Sequence, residues 1–279
     1  MFAVRVLIEN TTGDPALCCE HGLSLWVGYK GFSLLFDTGQ SDGFIANSRT
    51  LGIDLFSADA LVISHGHYDH SGGLPALLGK TTFSAPLWVG EGFFERKFSL
   101  DDTGPRYNGN PFERDLFSSK GITVHTVDGR KGSPVSVEIA KGLHLLAGFP
   151  RTHCEECISP RLVLEDGKGS KADAFPDEIS LVADLGNSLA VILGCAHPGL
   201  MNMLDSVQAH FNKPIEAVFG GAHLCESGAE RIEATTRYLA QHGIRLTALG
   251  HCTGPVALGY MQHNLPSWKR LHTGAFICV

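Results

Sequence analysis

Ser64-His65-Gly66-His67-Tyr68-Asp69-His70 places three histidines and one aspartate within six positions, directly after the apolar run Ala60-Leu61-Val62-Ile63. Imidazole nitrogens suit zinc and iron, and a carboxylate beside them suits a harder, second position. Were the strand to continue, His65 and His67 would point to one side and could grip one ion together. Asp69 and His70 come after the strand end, where a turn into a helix can aim them at a second ion. Two-metal hydrolytic centres hold their ions about 3.5–4 Å apart, so one short loop can serve both. A histidine-rich surface loop is the competing reading. The order of four ligand-type residues, after an apolar strand and before Gly72-Gly73, argues against it.

A binuclear site needs further ligands, and these too should emerge at strand ends. Val191-Ile192-Leu193-Gly194-Cys195-Ala196-His197 reads as a strand, then a histidine, then a turn. Thr247-Ala248-Leu249-Gly250-His251 repeats that plan. Val218-Phe219-Gly220-Gly221-Ala222-His223 is a third case, and His223 reads equally as a ligand, a substrate-binding residue or a structural histidine. His21 and His153 lie in segments that can reach the same rim. Cys154-Glu155-Glu156-Cys157 has C-x-x-C spacing but lacks the second pair of a closed metal site, so two loop thiols is the preferred reading.

The elements that must position these residues follow from periodicity. Leu23–Val27 and Phe32–Phe36 form a hairpin around Gly28-Tyr29-Lys30-Gly31, and Ile179–Asp184 with Leu189–Gly194 form a second. Strands are also expected at Leu61–Ser64, Thr123–Val127, Leu143–Ala147, Arg161–Leu164, Ile215–Phe219, Ile244–Leu249 and Phe276–Val279. Helices are expected over 41–51, 74–78, 201–211, 229–241 and 256–263. The stretches 91–120 and 149–178 read as long irregular loops over one rim, and loops of that length in a compact domain are more often functional than idle. Each half thus begins with a hairpin and ends in alternating strand and helix. That order fits an α/β fold in which two packed sheets carry helices outside, an αββα sandwich, as one domain over 1–279.

Composition supports a sizeable core: 43% of the 279 residues are hydrophobic and 18% are charged. The net charge of −7 and the lack of a basic run give no sign of a nucleic-acid surface. No apolar run approaches the roughly 20 residues of a membrane span. The N-terminal stretch is too short and interrupted for a signal peptide, so a cytoplasmic protein with eight reduced cysteines is expected. The expected partner is a small-molecule substrate, with a homo-oligomer left open.

With Phe36-Asp37-Thr38-Gly39, the His65–His70 cluster, His197 and His251 in this order, the chain resembles the metallo-β-lactamase superfamily. The resemblance implies an αββα metallo-β-lactamase sandwich with metals at one edge. It implies that His65, His67 and His197 hold a first ion, that Asp69, His70 and His251 hold a second, and that Asp37 orients ligand imidazoles. Within the superfamily the chain looks most like a dihydropteroate-synthase-like subgroup, which includes enzymes of methanopterin biosynthesis. The carriers are Glu9-Asn10-Thr11, Glu20-His21-Gly22-Leu23-Ser24, Asp177-Glu178, Gly194 to Gly199, Gly220 to Leu224 and Gly250 to Gly254. One departure stands out. Many superfamily hydrolases carry a metal-bridging aspartate at the strand end between the last two histidines, and here Phe219-Gly220-Gly221-Ala222-His223 has no acid.

The expected function is a metal-dependent hydrolase in which activated water attacks a phosphate- or ester-type substrate, with Asp69 and His223 as the groups that handle the proton and the developing charge. Zinc, one or two ions, is the expected cofactor, with iron or manganese as alternatives. A transferase joining a pterin pyrophosphate to an aminobenzene ribofuranosyl phosphate is the second reading. A non-enzymatic iron or redox protein using Cys154 and Cys157 is the third.

Overall fold

A computed structural model of the chain describes residues 1–79, 83–130, 132–165 and 169–279. Two seven-stranded sheets dominate it. The first runs, in spatial order, Phe276–Cys278, Phe2–Ile8, Ser24–Tyr29, Phe32–Phe36, Ala60–Val62, Leu87–Gly90 and Val124–Val127. The second runs Trp268–Arg270, Leu246–Leu249, Ile215–Gly220, Leu189–Ile192, Ile179–Asp184, Leu143–Ala147 and Val135–Ala140. In each, an antiparallel hairpin leads into parallel strands joined by helical crossovers.

Alternation along the strands explains the layering. Val4, Val6, Leu25, Val27, Leu34 and Phe36 of the first sheet meet Leu145, Leu181, Ile192 and Phe219 of the second in one buried layer. The opposite faces are covered by helices. Gly43–Thr50 and Leu74–Gly79 cover Leu35 and Leu61, while Leu200–Phe211, Ala229–Gln241 and Pro255–Asn264 cover Val191, Val218 and Leu249. The parallel strands are therefore buried on both sides, which is why they read as unbroken apolar runs rather than as alternation. This is the expected mixed α/β sandwich.

The two stretches expected to be mostly irregular, with short helical pieces in the first and a strand at Arg161–Leu164 in the second, hold more strand than that. Segment 91–120 contributes the strands Arg96–Asp101 and Gly104–Tyr107 and the helix Asp115–Ser119. Segment 149–178, apart from 166–168, which lie outside the described residues, contributes Leu162–Glu165 and Ser170–Ala172. These four strands pair into a third sheet. Its burial is one-sided and its strands carry charges, Arg96, Lys97 and Arg106 among them, so no clean apolar period marked it. The strand Phe2–Ile8, read only as an N-terminal stretch, proves to be an inner strand of the first sheet, paired on both sides, and Val135–Ala140 and Trp268–Arg270 are further strands the periodicity did not mark.

Candidate metal centre

The chemistry gathers where parallel strands of both sheets end. Asp37 follows Phe32–Phe36, His65 follows Ala60–Val62, Cys195 and His197 follow Leu189–Ile192, His223 follows Ile215–Gly220, and His251 follows Leu246–Leu249. Carboxyl ends of parallel strands are the usual place for sites in such sheets, because side chains there face a crevice instead of a neighbouring strand. Four of these turns are left-handed at non-glycine residues: Asp37, Ala196, His223 and His251, with φ of 59°, 58°, 43° and 52°. Such backbone costs about 1–3 kcal/mol per residue and persists only where the surroundings impose it.

His65, His67 and His197 come together. His65 Nε2 lies 3.1 Å from His67 Nδ1, and one nitrogen from each of the three rings falls within 4.8 Å of the others. Ser64 Oγ, 3.0 Å from His65 Nδ1, leaves Nε2 free for the cluster. His197 is fixed twice over. Phe175 stacks on its ring at 3.8 Å and 14°, and its backbone N–H donates to Glu178 Oε2 at 3.1 Å. Its Nε2 is buried and has no hydrogen-bond partner. A buried imidazole nitrogen without a partner is costly, and a cation beside the other two rings would satisfy it. Burial holds all three histidines well below the ordinary imidazole range, with neighbouring cationic groups adding to the effect, so they are neutral with lone pairs to offer. The donor set fits a zinc-type ion.

Asp69, His70 and His251 form the adjoining group. The short helix Tyr68–Ser71 starts right after His67 and turns Asp69 and His70 inward. His70 Nε2 is 3.1 Å from His251 Nε2, and Asp69 Oδ2 is 3.2 Å from His251 Nε2 and 3.8 Å from His70 Nε2. Asp37 stands behind them, with Oδ2 2.7 Å from His70 Nδ1, and it accepts from the Ser64 backbone N–H at 2.7 Å and the Ser64 hydroxyl at 2.8 Å. Burial alone would lower the pKa of His70, yet the Asp37 and Asp69 carboxylates push it up to about 9. Burial would raise Asp69, but His70, His21 and His251 hold it well below the usual carboxylate range. His251 is oriented by Asn10 Oδ1, 3.0 Å from its Nδ1, while its backbone N–H donates to Glu9 Oε1 at 2.6 Å.

His21 reaches this group, with Nε2 3.1 Å from Asp69 Oδ2. His223 adjoins the first trio instead. Its ring lies 4.2 Å from that of His197, and burial pushes its pKa down to about 4. His153 sits elsewhere, paired with Asp205 at 2.8 Å. Cys154 and Cys157 are exposed and belong to none of the donor groups among the described residues. Sequence reasoning missed Cys195, whose Sγ lies 3.2 Å from His70 Nε2. It also missed Lys97, a fully buried lysine that bridges Asp173 at 2.7 Å and Asp177 at 2.9 Å, while Asp177 accepts from the Gly66 N–H at 2.8 Å. A lone lysine in a charged stretch gives no sequence signal of burial. Cys195, two residues before His197 in a strand-end turn, did offer one.

A cavity of about 340 Å³ opens over the cluster, with His67, Asp69, His197 and His251 on its floor. The third sheet supplies one wall through Ser99, Arg106 and Leu162, with Asn108 and Arg161 beside it. Arg161 is held by Glu226 at 2.8 Å and the Leu100 carbonyl at 2.9 Å. Among the described residues no helix is long and apolar enough to cross a membrane.

Comparison with known proteins agrees with this geometry. Residues 19–147 match the metallo-beta-lactamase superfamily. The chain is 27% identical, over 98% of its length and 95% of the relative's, to 7,8-dihydropterin-6-methyl-4-(β-D-ribofuranosyl)-aminobenzene-5'-phosphate synthase of Methanocaldococcus jannaschii. The crystal structure of a metal-dependent hydrolase of the β-lactamase superfamily superposes with a TM-score of 0.85 at 30% identity, covering 100% of this chain and 99% of that one. Zinc-bound PqqB from Methylobacterium extorquens shares the fold alone, with a TM-score of 0.56 at 13% identity over 99% of this chain and 100% of that one. On these similarities the chain belongs to the metallo-β-lactamase superfamily.

Proposed function

We propose that this protein is a metal-dependent hydrolase acting on a phosphate- or ester-bearing small molecule, with one or two zinc ions as its cofactor, in the cytoplasm. The observation that carries the reading is the neutral His65–His67–His197 trio, with the unpartnered His197 Nε2, of which His67 and His197 line a pocket edged by two arginines. His65, His67 and His197 would hold the first ion, and Asp69, His70 and His251 the second. When bound, a divalent cation here supplies Lewis acidity and a water that ionises near neutral pH.

The chain's own groups do the rest. Arg106 and Arg161 would orient an anionic phosphate from the pocket wall, since a guanidinium presents several donors to such an oxygen cluster. His223, neutral at pH 7, would donate a hydrogen bond to charge developing on the substrate. Asp69, tied to His21 and His251, would orient the attacking water, accept its proton and release it to solvent through the open side of the pocket, returning to the carboxylate. Metal analysis of the purified protein should find one to two equivalents, about what a two-metal template allows. His67→Ala should abolish turnover of a phosphodiester, lactone or pterin phosphate while leaving the circular-dichroism spectrum unchanged. Full activity in a metal-stripped sample would sink the reading.

A second reading is favoured by the full-length similarity to the methanopterin-pathway synthase. In it, the same pocket would bind a pterin pyrophosphate, and an aminobenzene ribofuranosyl phosphate would attack in place of water. Product analysis with pterin pyrophosphate and the aminobenzene ribofuranosyl phosphate separates the two: joined product with released pyrophosphate supports transfer, and pterin phosphate or pterin alcohol with no joined product supports hydrolysis.

A further inference from the structure

The strand end that would carry a bridging acid carries Gly220 and Gly221. What fills that space is sulfur. A Cβ built on Gly221 would fall 2.4 Å from Cys252 Sγ, so a side chain at 221 would grow into the volume the thiol holds. Cys252 and Cys195 are both buried, both free thiols, and adjacent, with Cys252 Sγ 3.5 Å from the Cys195 carbonyl oxygen. Cys195 is the better placed of the two. Its Sγ joins His65 and His70 in one compact donor group and His251 and Cys252 in another, the ligand atoms of each lying within 4.8 Å of one another. One sulfur thus belongs to both groups and spans the ground between the two expected cation positions.

From this geometry we infer that Cys195 is a sulfur ligand to the second cation, shared with Asp69, His70 and His251. The inference rests on the metal-centre reading given above. On binding, the Cys195 S–H bond breaks, its proton leaves to solvent, and a sulfur–metal bond forms, so no oxidant or reductant is needed. Cys252 lies against the sulfur and shields it. A thiolate among imidazoles makes the position soft, which selects zinc, cobalt(II) or cadmium over manganese or magnesium. The competing account makes Cys195 a small apolar filler, the common lot of a buried free cysteine.

Titrating the metal-stripped full-length protein with cobalt(II) tests this without reference to activity. Two bound equivalents should produce a thiolate-to-cobalt charge-transfer band in the near ultraviolet. Cys195→Ser should lose that band and weaken the second equivalent by at least about tenfold, since even changes outside the ligand shell reach that size. Cys252→Ser should keep the band. Manganese(II) should fail to fill the second position in the unaltered protein and should fill it in Cys195→Asp. A band that survives in Cys195→Ser, or one that disappears only in Cys252→Ser, overturns the inference. So does unaltered protein with two cobalt ions and no such band, a result that stands even if the variants fold poorly and that leaves the metal-centre reading intact. Protein that binds no cobalt at all overturns both.

Discussion

His70 sits between two carboxylates with no exposed edge, Asp37 at 2.7 Å on one nitrogen and Asp69 at 3.8 Å from the other, and this position makes its proton a stabilising partner in the metal-free protein. Its folded pKa of about 9 lies above the unfolded value of 6.5. A raised imidazole pKa contributes stability that is fully present below pH 6.5 and is lost as pH rises through 9. Each unit of difference is about 1.4 kcal/mol, so roughly 3 kcal/mol should disappear across that window. Urea unfolding of the chelated protein at pH 6 and pH 9.5 checks this, with Asp37→Asn as the comparison. The variant removes the main cause of the raised pKa, so its stability should change far less with pH. An equal fall in both proteins would mean that His70 is not the group responsible. The same proton must leave before His70 can serve a cation, so metal binding should release a proton from this residue.

At the scale of elements, the third sheet does more than wall the pocket. Lys97, in its strand Arg96–Asp101, reaches through to Asp173 and Asp177, and Asp177 holds the Gly66 N–H between His65 and His67. Burial opposes the charge on Lys97, but both aspartates outweigh it and keep the ammonium protonated. Lys97→Met should therefore leave two buried carboxylates without a counter-charge and destabilise the fold by about 3–5 kcal/mol. Thermal melting checks the size. Replacing Lys97, Asp173 and Asp177 together by apolar residues of similar volume should restore much of the loss, and failure to do so would mean that packing, not charge, is what Lys97 provides. This link was not legible in the sequence, because the three residues are 76 and 80 positions apart and lie in stretches without a clean period. The sandwich and the convergence of these histidines were legible for the opposite reason. His65, His197 and His251 each follow an apolar parallel strand, and the burial that makes such a strand continuous also delivers its last residue to the crevice. Cys195 shares that placement, but cysteine is so often a core residue that type and spacing alone did not separate it from Ala196.

For the molecule as a whole, the site is a seam. His65, His67, Asp69 and His70 come from the first sheet, and Cys195, His197 and His251 come from the second. Direct ties between the sheets at this edge include the Ile179 N–H donating to the Ser64 carbonyl at 2.9 Å, the Gly66 N–H donating to Asp177 Oδ2 at 2.8 Å, and the Glu9 carboxylate accepting from the His251 N–H at 2.6 Å. Behind them lies the apolar layer between the sheets, which is not directional. A cation held by residues of both sheets would therefore clamp the sandwich at its open edge and bind the folded chain in preference to the unfolded one. At a free concentration about 100 times its dissociation constant, such a ligand adds about 2.7 kcal/mol. For a domain of this size each kcal/mol corresponds to about 2–4 °C. Chelation should then lower Tm by about 5–10 °C on those two scales, and zinc should restore it. His197→Ala should remove the share of that difference that the first ion contributes, because it takes away the second sheet's imidazole in the first donor trio while leaving Asp69, His70 and His251 in place. Calorimetry of both proteins with and without chelator decides it. A Tm that ignores chelation in the unaltered protein would show that the two sheets hold together at this edge without a metal between them.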